Sequence, residues 1–197
     1  MQIEIRLAHP EDYREIEELT RAAFWDIYAP GCDEHLIVHN LHQSADYIPA
    51  LDFIALLGDK IVGNIIYSKS QVVNEDKEES TITFGPLSVD PAFQAKGIGS
   101  LLVKHSLKIA QNLGYPAVII FGDPRYYSRF GFVDAQRYRI TTEDGENMPD
   151  FMAQELLPQS LSETKGKFYL SEVFVVDNEE LAEFEKKFPA KAKRYRK

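Results

Sequence analysis

The chain has 197 residues, 44% of them apolar and 27% charged, which is the composition of a globular protein long enough to bury a core. Its formal net charge is −9, and seven of its 22 basic residues lie in residues 186–197, so the remainder is strongly acidic. An acidic body repels nucleic acid and anionic membranes, and we expect neither as a partner.

No apolar run reaches the length that spans a bilayer, and residues 1–6 lack the basic start and long apolar stretch of a signal peptide. We therefore expect a cytoplasmic protein. Cys32 is the single cysteine, so neither an internal disulfide nor a cysteine metal site is expected. The basic residues of 186–197 are interpreted as a solvated helix end, with anion binding as the alternative.

The first third of the chain combines strand and helix patterns. Residues 3–7 alternate as a half-buried strand does, and His9-Pro10-Glu11-Asp12 predicts the start of a helix. A second helix is predicted from Asp33 to His42. The apolar runs 53–57 and 61–67 are joined by a short Gly-Asp turn, which predicts a β-hairpin.

The middle of the chain predicts a strand, a helix and a second strand. Polar residues 74–80 indicate an exposed loop, and residues 81–89 indicate a strand that Gly85-Pro86 bulges or interrupts. A helix is predicted from about Gly97 to Gly114, and the apolar run 117–121 is typical of a strand covered on both faces. These elements form a right-handed βαβ unit.

The turn that opens this helix favours an anionic ligand. Gly97 and Gly99 let the backbone approach a ligand closely, and the helix dipole adds partial positive charge there, so a phosphate suits the turn. A dinucleotide motif fails because its third glycine position is Leu102, and an ATP-binding P-loop is absent. On glycine spacing alone, a simple tight turn and a phosphate site stay equally open.

Three stretches carry a family resemblance. Gln94-Ala95-Lys96-Gly97-Ile98-Gly99 matches the signature [QR]-x-x-G-x-[GA] of the GNAT superfamily of N-acetyltransferases. Residues 85–91 look like that family's fourth strand. Residues 122–132, with Tyr127 four residues before Gly131, resemble its Y-x-x-x-G-F element as found in one bacterial subgroup of predicted acetyltransferases. The resemblance covers residues 1 to about 135.

The resemblance implies an α/β fold with a mixed, mostly antiparallel sheet of six or seven strands, helices on both faces and a splayed central strand pair. It implies an acetyltransferase domain over residues 1–176, with a core at 1–135. Residues 136–176 then supply C-terminal strands and an acceptor-side segment. A C-terminal helix with its basic tail follows at residues 177–197. Residues 169–176 are themselves predicted as a late strand.

The resemblance also implies acetyl-CoA as co-substrate and no metal. By family analogy, the backbone of Leu87 and Val89 binds the pantetheine arm, and the Leu87 N–H faces the thioester oxygen. Lys96 is expected to be exposed, either to solvent or against the nucleotide. The pyrophosphate is expected to lie on Gln94, Ala95, Gly97, Ile98, Gly99 and Ser100.

Tyr127 stands where matching family members place the tyrosine that protonates the departing sulfur, and a phenol stays protonated at neutral pH. Its alternative role is that of an aromatic side chain packed on the helix that covers the cofactor site. A general base is less well defined. Asp123, Glu34 and His35 are candidates, but the favoured interpretation is a helix cap for Asp123 and a solvated face for Glu34 and His35, and a water chain needs no base.

The sequence therefore predicts an N-acetyltransferase that moves an acetyl group from acetyl-CoA to a primary amine of a small molecule or peptide. Direct attack is expected, because Cys32 lies far from the cofactor motifs. The alternative is an acetyl-CoA-binding sensor or interaction module that uses the same fold without turnover. A homodimer contact through residues 135–197 is a further alternative.

Overall fold

The computed structural model of this protein describes residues 2–75 and 77–194. Residues 195–197, the end of the predicted basic tail, lie outside the described residues. Five α-helices are described: α1 (Tyr13–Phe24), α2 (Glu34–Leu41), α3 (Ile98–Asn112), α4 (Pro124–Tyr127) and α5 (Asn178–Glu185). Nine strands are described: β1 (Glu4–Leu7), β2 (Phe53–Leu57), β3 (Lys60–Asn74), β4 (Lys77–Val89), β5 (Ala117–Phe121), β6 (Val133–Asp134), β7 (Ile140–Thr141), β8 (Phe151–Glu155) and β9 (Gly166–Tyr169).

The described residues form two compact units, and the long strands β3 and β4 run through both. The first unit contains residues 2–66, 86–102 and 172–194. The second contains residues 67–75, 77–85 and 103–171.

The first unit is built on an antiparallel meander. β1 pairs with β2, and β2 pairs with β3 across the predicted Gly-Asp turn, which confirms the hairpin. α1 and α2 are amphipathic and bury their apolar faces with side chains of β2 and β3, which supplies most of the driving force for folding here. The buried cluster consists of Ile16, Leu19, Ile37, Val38, Leu41, Ile54, Ile61 and Ile66.

The C-terminal segment of the first unit packs against α1 and α2. The buried Arg21 guanidinium donates to Glu185 of α5, with Nε to Oε1 at 2.9 Å. The Trp25 Nε1 donates to the Ala192 carbonyl at 3.0 Å. The described basic side chains of the tail are exposed, as expected, but the helix ends at Glu185 and the tail's backbone is anchored.

The second unit carries the strand order β3-β4-β5-β8-β6, with β9 pairing with both β3 and β7. The β4–β5 and β7–β9 pairs are parallel, and the other described registers are antiparallel. Parallel β4 and β5 with α3 between them in the chain confirm the βαβ unit. Among the described residues, β4 and β5 pair at Ile82 with Val118 alone, so their pairing stops before Gly85.

The predicted fold class is confirmed, while the sheet has more strands than the expected six or seven. The additional strands are short: β6 and β7 have two residues each. In residues 2–75 and 77–194, no helix has the length and apolar character needed to cross a bilayer.

Two predicted elements are wrong. Most of the loop predicted at 74–80 is wrong: Asn74 ends β3 and residues 77–80 begin β4, with polar side chains that are largely exposed, while Asp76 lies outside the described residues. The strand predicted at 169–176 is also absent, since β9 ends at Tyr169 and a 3-10 turn follows at Glu172–Phe174. Val173, Phe174 and Val176 pack on the α1–α2 cluster of the first unit, which buries part of their apolar surface without strand pairing.

Candidate functional site

The predicted phosphate-binding turn lies in the first unit, between the end of β4 and the start of α3. A 3-10 turn at Pro91–Phe93 follows β4, and α3 begins at Ile98. Ala95 has a φ of +59° and Gly97 a φ of +86°, so both have the left-handed conformation. No atom lies within 4 Å of where a Cβ on Gly97 would stand, so the space over this residue is open.

Side chains fix the shape of this turn. Asp90 caps the 3-10 turn by accepting from the Ala92 N–H at 2.8 Å, and its other oxygen accepts from Lys60 Nζ at 2.6 Å. The Lys60 ammonium lowers the pKa of Asp90 below its usual value. Gln94 Nε2 donates to the Val89 carbonyl at 3.2 Å, which ties the turn back to β4.

The start of α3 supplies donors for an anion. Leu101 N donates to the Gly97 carbonyl at 3.0 Å, which is the first helical hydrogen bond. The leading N–H groups of a helix, here those of Ile98 and Gly99, have no intrahelical acceptor, and the helix dipole adds positive charge beside them. Backbone donors can therefore hold an anion even in an acidic protein.

Glycine at position 63 of β3 allows α3 to approach closely. A Cβ on Gly63 would lie 3.0 Å from both Ile98 Cγ2 and Leu102 Cδ1, which is tighter than ordinary packing. Ile98 and Leu102 are buried, at 1% and 0% exposure. The first turn of α3 is thus seated on β3, so its N-terminus is held firmly.

The other predicted cofactor residues lie on or beside this turn. Leu87 and Val89 are half-buried on β4, and Ser88 between them shares a buried 2.8 Å hydrogen bond with Thr20 of α1. Lys96 is exposed, as predicted, with Nζ 2.9 Å from the Ala92 carbonyl and 4.8 Å from the Phe93 ring centroid. The residues predicted to bind the pyrophosphate lie in the turn and at the start of α3: Gln94, Ala95, Gly97, Ile98, Gly99 and Ser100.

Tyr127 lies in the second unit, at the C-terminal end of α4. Asp123 caps this short helix by accepting from Arg125 N at 2.9 Å. The Tyr127 ring contacts Phe84 and Phe132, with centroid distances of 5.7 and 5.8 Å. A Cβ on Gly122 would stand 2.3 Å from Tyr127 Cε2, so the ring lies directly on the Gly122 backbone. Only glycine at this position leaves room for the ring.

Tyr67 is a neighbour of Tyr127 that the sequence analysis missed. It is fully buried, and its hydroxyl shares a 2.8 Å hydrogen bond with Ser106. Burial raises the pKa of Tyr67 above its usual value, and the nearby Tyr127 raises it further. Tyr67 ends an apolar run, so its pattern indicated packing and gave no sign of a polar partner.

The candidate bases have different surroundings. Asp123 is ion-paired with Arg125, which lowers the pKa of its carboxyl and matches the predicted helix-cap role. The solvated position expected for His35 is wrong: this side chain is completely buried against the C-terminal segment, and burial lowers its pKa. Burial raises the pKa of Glu34 to about 7, which is the range that suits a general base at neutral pH. Burial also raises the pKa of the Cys32 thiol to about 12, so it stays protonated.

The histidines of α2 and its end are paired with carboxylates. In the part of the chain that the structure describes, no group of three His, Cys, Asp or Glu side chains is arranged to hold a metal ion. The three pairs join His35 with Glu185, His39 with Glu17, and His42 with Asp52.

Sequence comparison assigns the family. The Acetyltransferase (GNAT) family profile matches residues 12–132, which include the turn at the start of α3 and Tyr127. The chain belongs to this family. It is therefore an acyltransferase of the GNAT type, as the sequence signature predicted.

Relatives of this GNAT protein agree with that assignment. The uncharacterized N-acetyltransferase YhbS of Escherichia coli strain K12 is 28% identical over 163 residues, covering 82% of this chain and 92% of YhbS. A crystal structure of E. coli YhbS in complex with CoA has a TM-score of 0.80 and 25% identity, covering 89% of this chain and 93% of that one. A GNAT acetyltransferase from Brucella melitensis in complex with acetyl-CoA has a TM-score of 0.70 and 25% identity, covering 88% and 98%.

Proposed function

We propose that this enzyme transfers the acetyl group of acetyl-CoA to a primary amine of a small molecule or peptide. The observation that carries the proposal is the open turn at Ala95 and Gly97, directly before α3, whose leading N–H groups have no intrahelical acceptor. The bound CoA of YhbS and the bound acetyl-CoA of the Brucella melitensis relative support the same donor. The acidic charge of the chain favours a cationic acceptor.

The turn binds the pyrophosphate of acetyl-CoA in this proposal. The backbone N–H groups from Gln94 to Ser100 donate to its oxygens, and the α3 dipole favours its charge. Lys96 adds an exposed cation near the turn. The backbone of Leu87 and Val89 binds the pantetheine arm, and the Leu87 N–H stabilises the negative charge that develops on the thioester oxygen.

The reaction is a direct displacement. The lone pair of the neutral amine attacks the thioester carbonyl carbon, a C–N bond forms, and the C–S bond breaks. The electron pair of that bond leaves with the sulfur, and the Tyr127 hydroxyl donates a proton to the departing thiolate. The nitrogen, which becomes positively charged as it attacks, releases one proton to solvent, and the Tyr127 phenolate takes up one proton from solvent. Gly122 positions the Tyr127 ring, since a larger residue would occupy its place.

The acceptor must lose a proton before it attacks, because most amines are protonated at neutral pH. Glu34 is our candidate for this base, since the pKa of its half-buried carboxyl is raised to about 7. A chain of water molecules would serve equally well and would need no dedicated side chain. Cys32 takes no part, because its thiol stays protonated.

A thiol-release assay across amines and peptide N-termini tests this proposal. Wild-type protein should release free CoA thiol only when acetyl-CoA and a suitable amine are both present. Tyr127→Phe should lower kcat by about 10²-fold or more and retain acetyl-CoA affinity, because it removes a proton donor and keeps the ring. Tyr126→Phe is the matched control and should retain kcat. Unchanged kcat in Tyr127→Phe would remove this residue from the mechanism.

A further inference from the structure

A groove on the second unit has a composition unlike that of the rest of this acidic protein. It lies between α3, the 3-10 turn at Ser128–Phe130 and the end of β8, and has a cavity volume of about 340 Å³. That volume is near the lower end of small-molecule sites, which run from about 300 to 1,000 Å³. The groove therefore has room for one small molecule. Its lining residues are Lys104, Leu107, Lys108, Gln111, Arg129, Phe130, Gln154, Glu155 and Leu156.

The rim of the groove is cationic. Lys104 and Lys108 are exposed and lie one helical turn apart on α3, so both face the groove. Arg129 faces them, with its guanidinium 4.8 Å from the Tyr126 ring centroid and Nη2 donating to the Arg125 carbonyl. Glu155 is the single carboxylate in the lining, and its Oε1 accepts from the Leu161 N–H at 2.8 Å. Three cations against one engaged carboxylate favour an anion.

The floor of the groove offers apolar surface. Leu107 and Leu156 are buried at 8% and 5% exposure, and the half-buried Phe130 adds an aromatic ring. The floor therefore offers a flat apolar and aromatic surface to a ring system.

We propose that this groove binds a nucleoside monophosphate. The phosphate would contact Lys104, Lys108 and Arg129 through charge-assisted hydrogen bonds. The flat base would lie against Phe130 and the two leucines. A plain anion would use the rim and leave the floor uncovered. A purely apolar molecule would leave the cations unused.

Binding of AMP, GMP, CMP and UMP to the full chain tests this proposal, with inorganic phosphate and adenosine as partial ligands. Calorimetric titrations are done with CoA present at saturating concentration, so that binding at the coenzyme site does not contribute. At least one nucleotide should bind, and both partial ligands should bind more weakly. Lys108→Glu should weaken that nucleotide by about tenfold or more, because it replaces an attractive charge with a repulsive one.

Lys165→Glu is the matched control, since Lys165 is an exposed lysine of the same unit outside the groove, and it should leave the affinity unchanged. Circular dichroism and thermal melting confirm that both variants are folded. The proposal is overturned if no nucleotide binds at millimolar concentration, or if phosphate alone binds as tightly as the best nucleotide. Equal affinities in wild type and Lys108→Glu would also overturn it.

Discussion

Gly122→Ala should displace the Tyr127 ring while leaving its hydroxyl group in place as a chemical group, so it tests whether the ring's position matters for catalysis. The added Cβ would stand 2.3 Å from Tyr127 Cε2 and 2.5 Å from Cδ2, where ordinary contacts begin near 3.4 Å. The ring must therefore move by about 1 Å, and overpacking of this kind costs about 1–3 kcal/mol of stability. The backbone at Gly122 has no positive φ, so alanine itself introduces no conformational strain. A displacement of about 1 Å at a catalytic group lowers kcat by about 10²-fold.

The assay is thiol release at saturating acetyl-CoA and amine, together with a thermal melt and the KM for acetyl-CoA. Gly122→Ala should lower kcat by about 10²-fold while the protein remains folded at the assay temperature. The same substitution in a Tyr127→Phe background provides the control, because it should have little further effect once the hydroxyl is gone. The reasoning is refuted if Gly122→Ala keeps full kcat, or if its loss is equally large in both backgrounds.

Two further variants test the first unit. Burial raises the pKa of Glu34 from 4.5 to about 7, so its contribution to stability is full below pH 4.5 and is lost as the pH rises through 7. Glu34→Gln lacks this titration, so its free energy of unfolding should increase relative to that of wild type as the pH rises. Between about pH 5 and about pH 8, urea unfolding should show an increase of about 1–2 kcal/mol in this difference, after a discount for solvent screening. A pH-independent difference would contradict the raised pKa. Glu185→Ala leaves the buried Arg21 without its carboxylate and should cost about 3–5 kcal/mol in urea unfolding. A cost no larger than that of Glu183→Ala, an exposed site on the same helix, would show that the pair contributes little.

The elements with strong local signals could be predicted from the sequence. The β2–β3 hairpin follows from two apolar runs around a Gly-Asp turn, and the start of α3 follows from a glycine turn before a helical apolar pattern. Residues 172–176 could not be predicted, because a short apolar run such as 173–176 suits a strand and also a turn packed on a neighbouring cluster. Their environment is set by α1 and α2, which lie far away in the sequence.

The candidate site also has parts that could be predicted from the sequence and parts that could not. The turn from Gln94 to Gly99 is local, so its position at a helix start follows from sequence, whereas the left-handed conformation of Ala95 was not foreseen. The contact of Tyr127 with Gly122 was not foreseen, although both residues belong to one recognised motif, because it depends on how the chain folds back after β5. The surroundings of Tyr67 and of Glu34 depend on burial by distant elements, which no single segment encodes.

Acetyl-CoA binding at the turn is tested most directly by calorimetric titration of two variants at one position. Gly97 has a left-handed backbone with open space above it, and asparagine and aspartate are the side chains that tolerate this conformation best. Gly97→Asn should keep affinity for acetyl-CoA within several-fold of wild type. Gly97→Asp, equal in size but negatively charged, should bind at least about tenfold more weakly than Gly97→Asn because it repels the pyrophosphate. Equal affinities of the two variants, or no acetyl-CoA binding by the wild type, would contradict the proposed site.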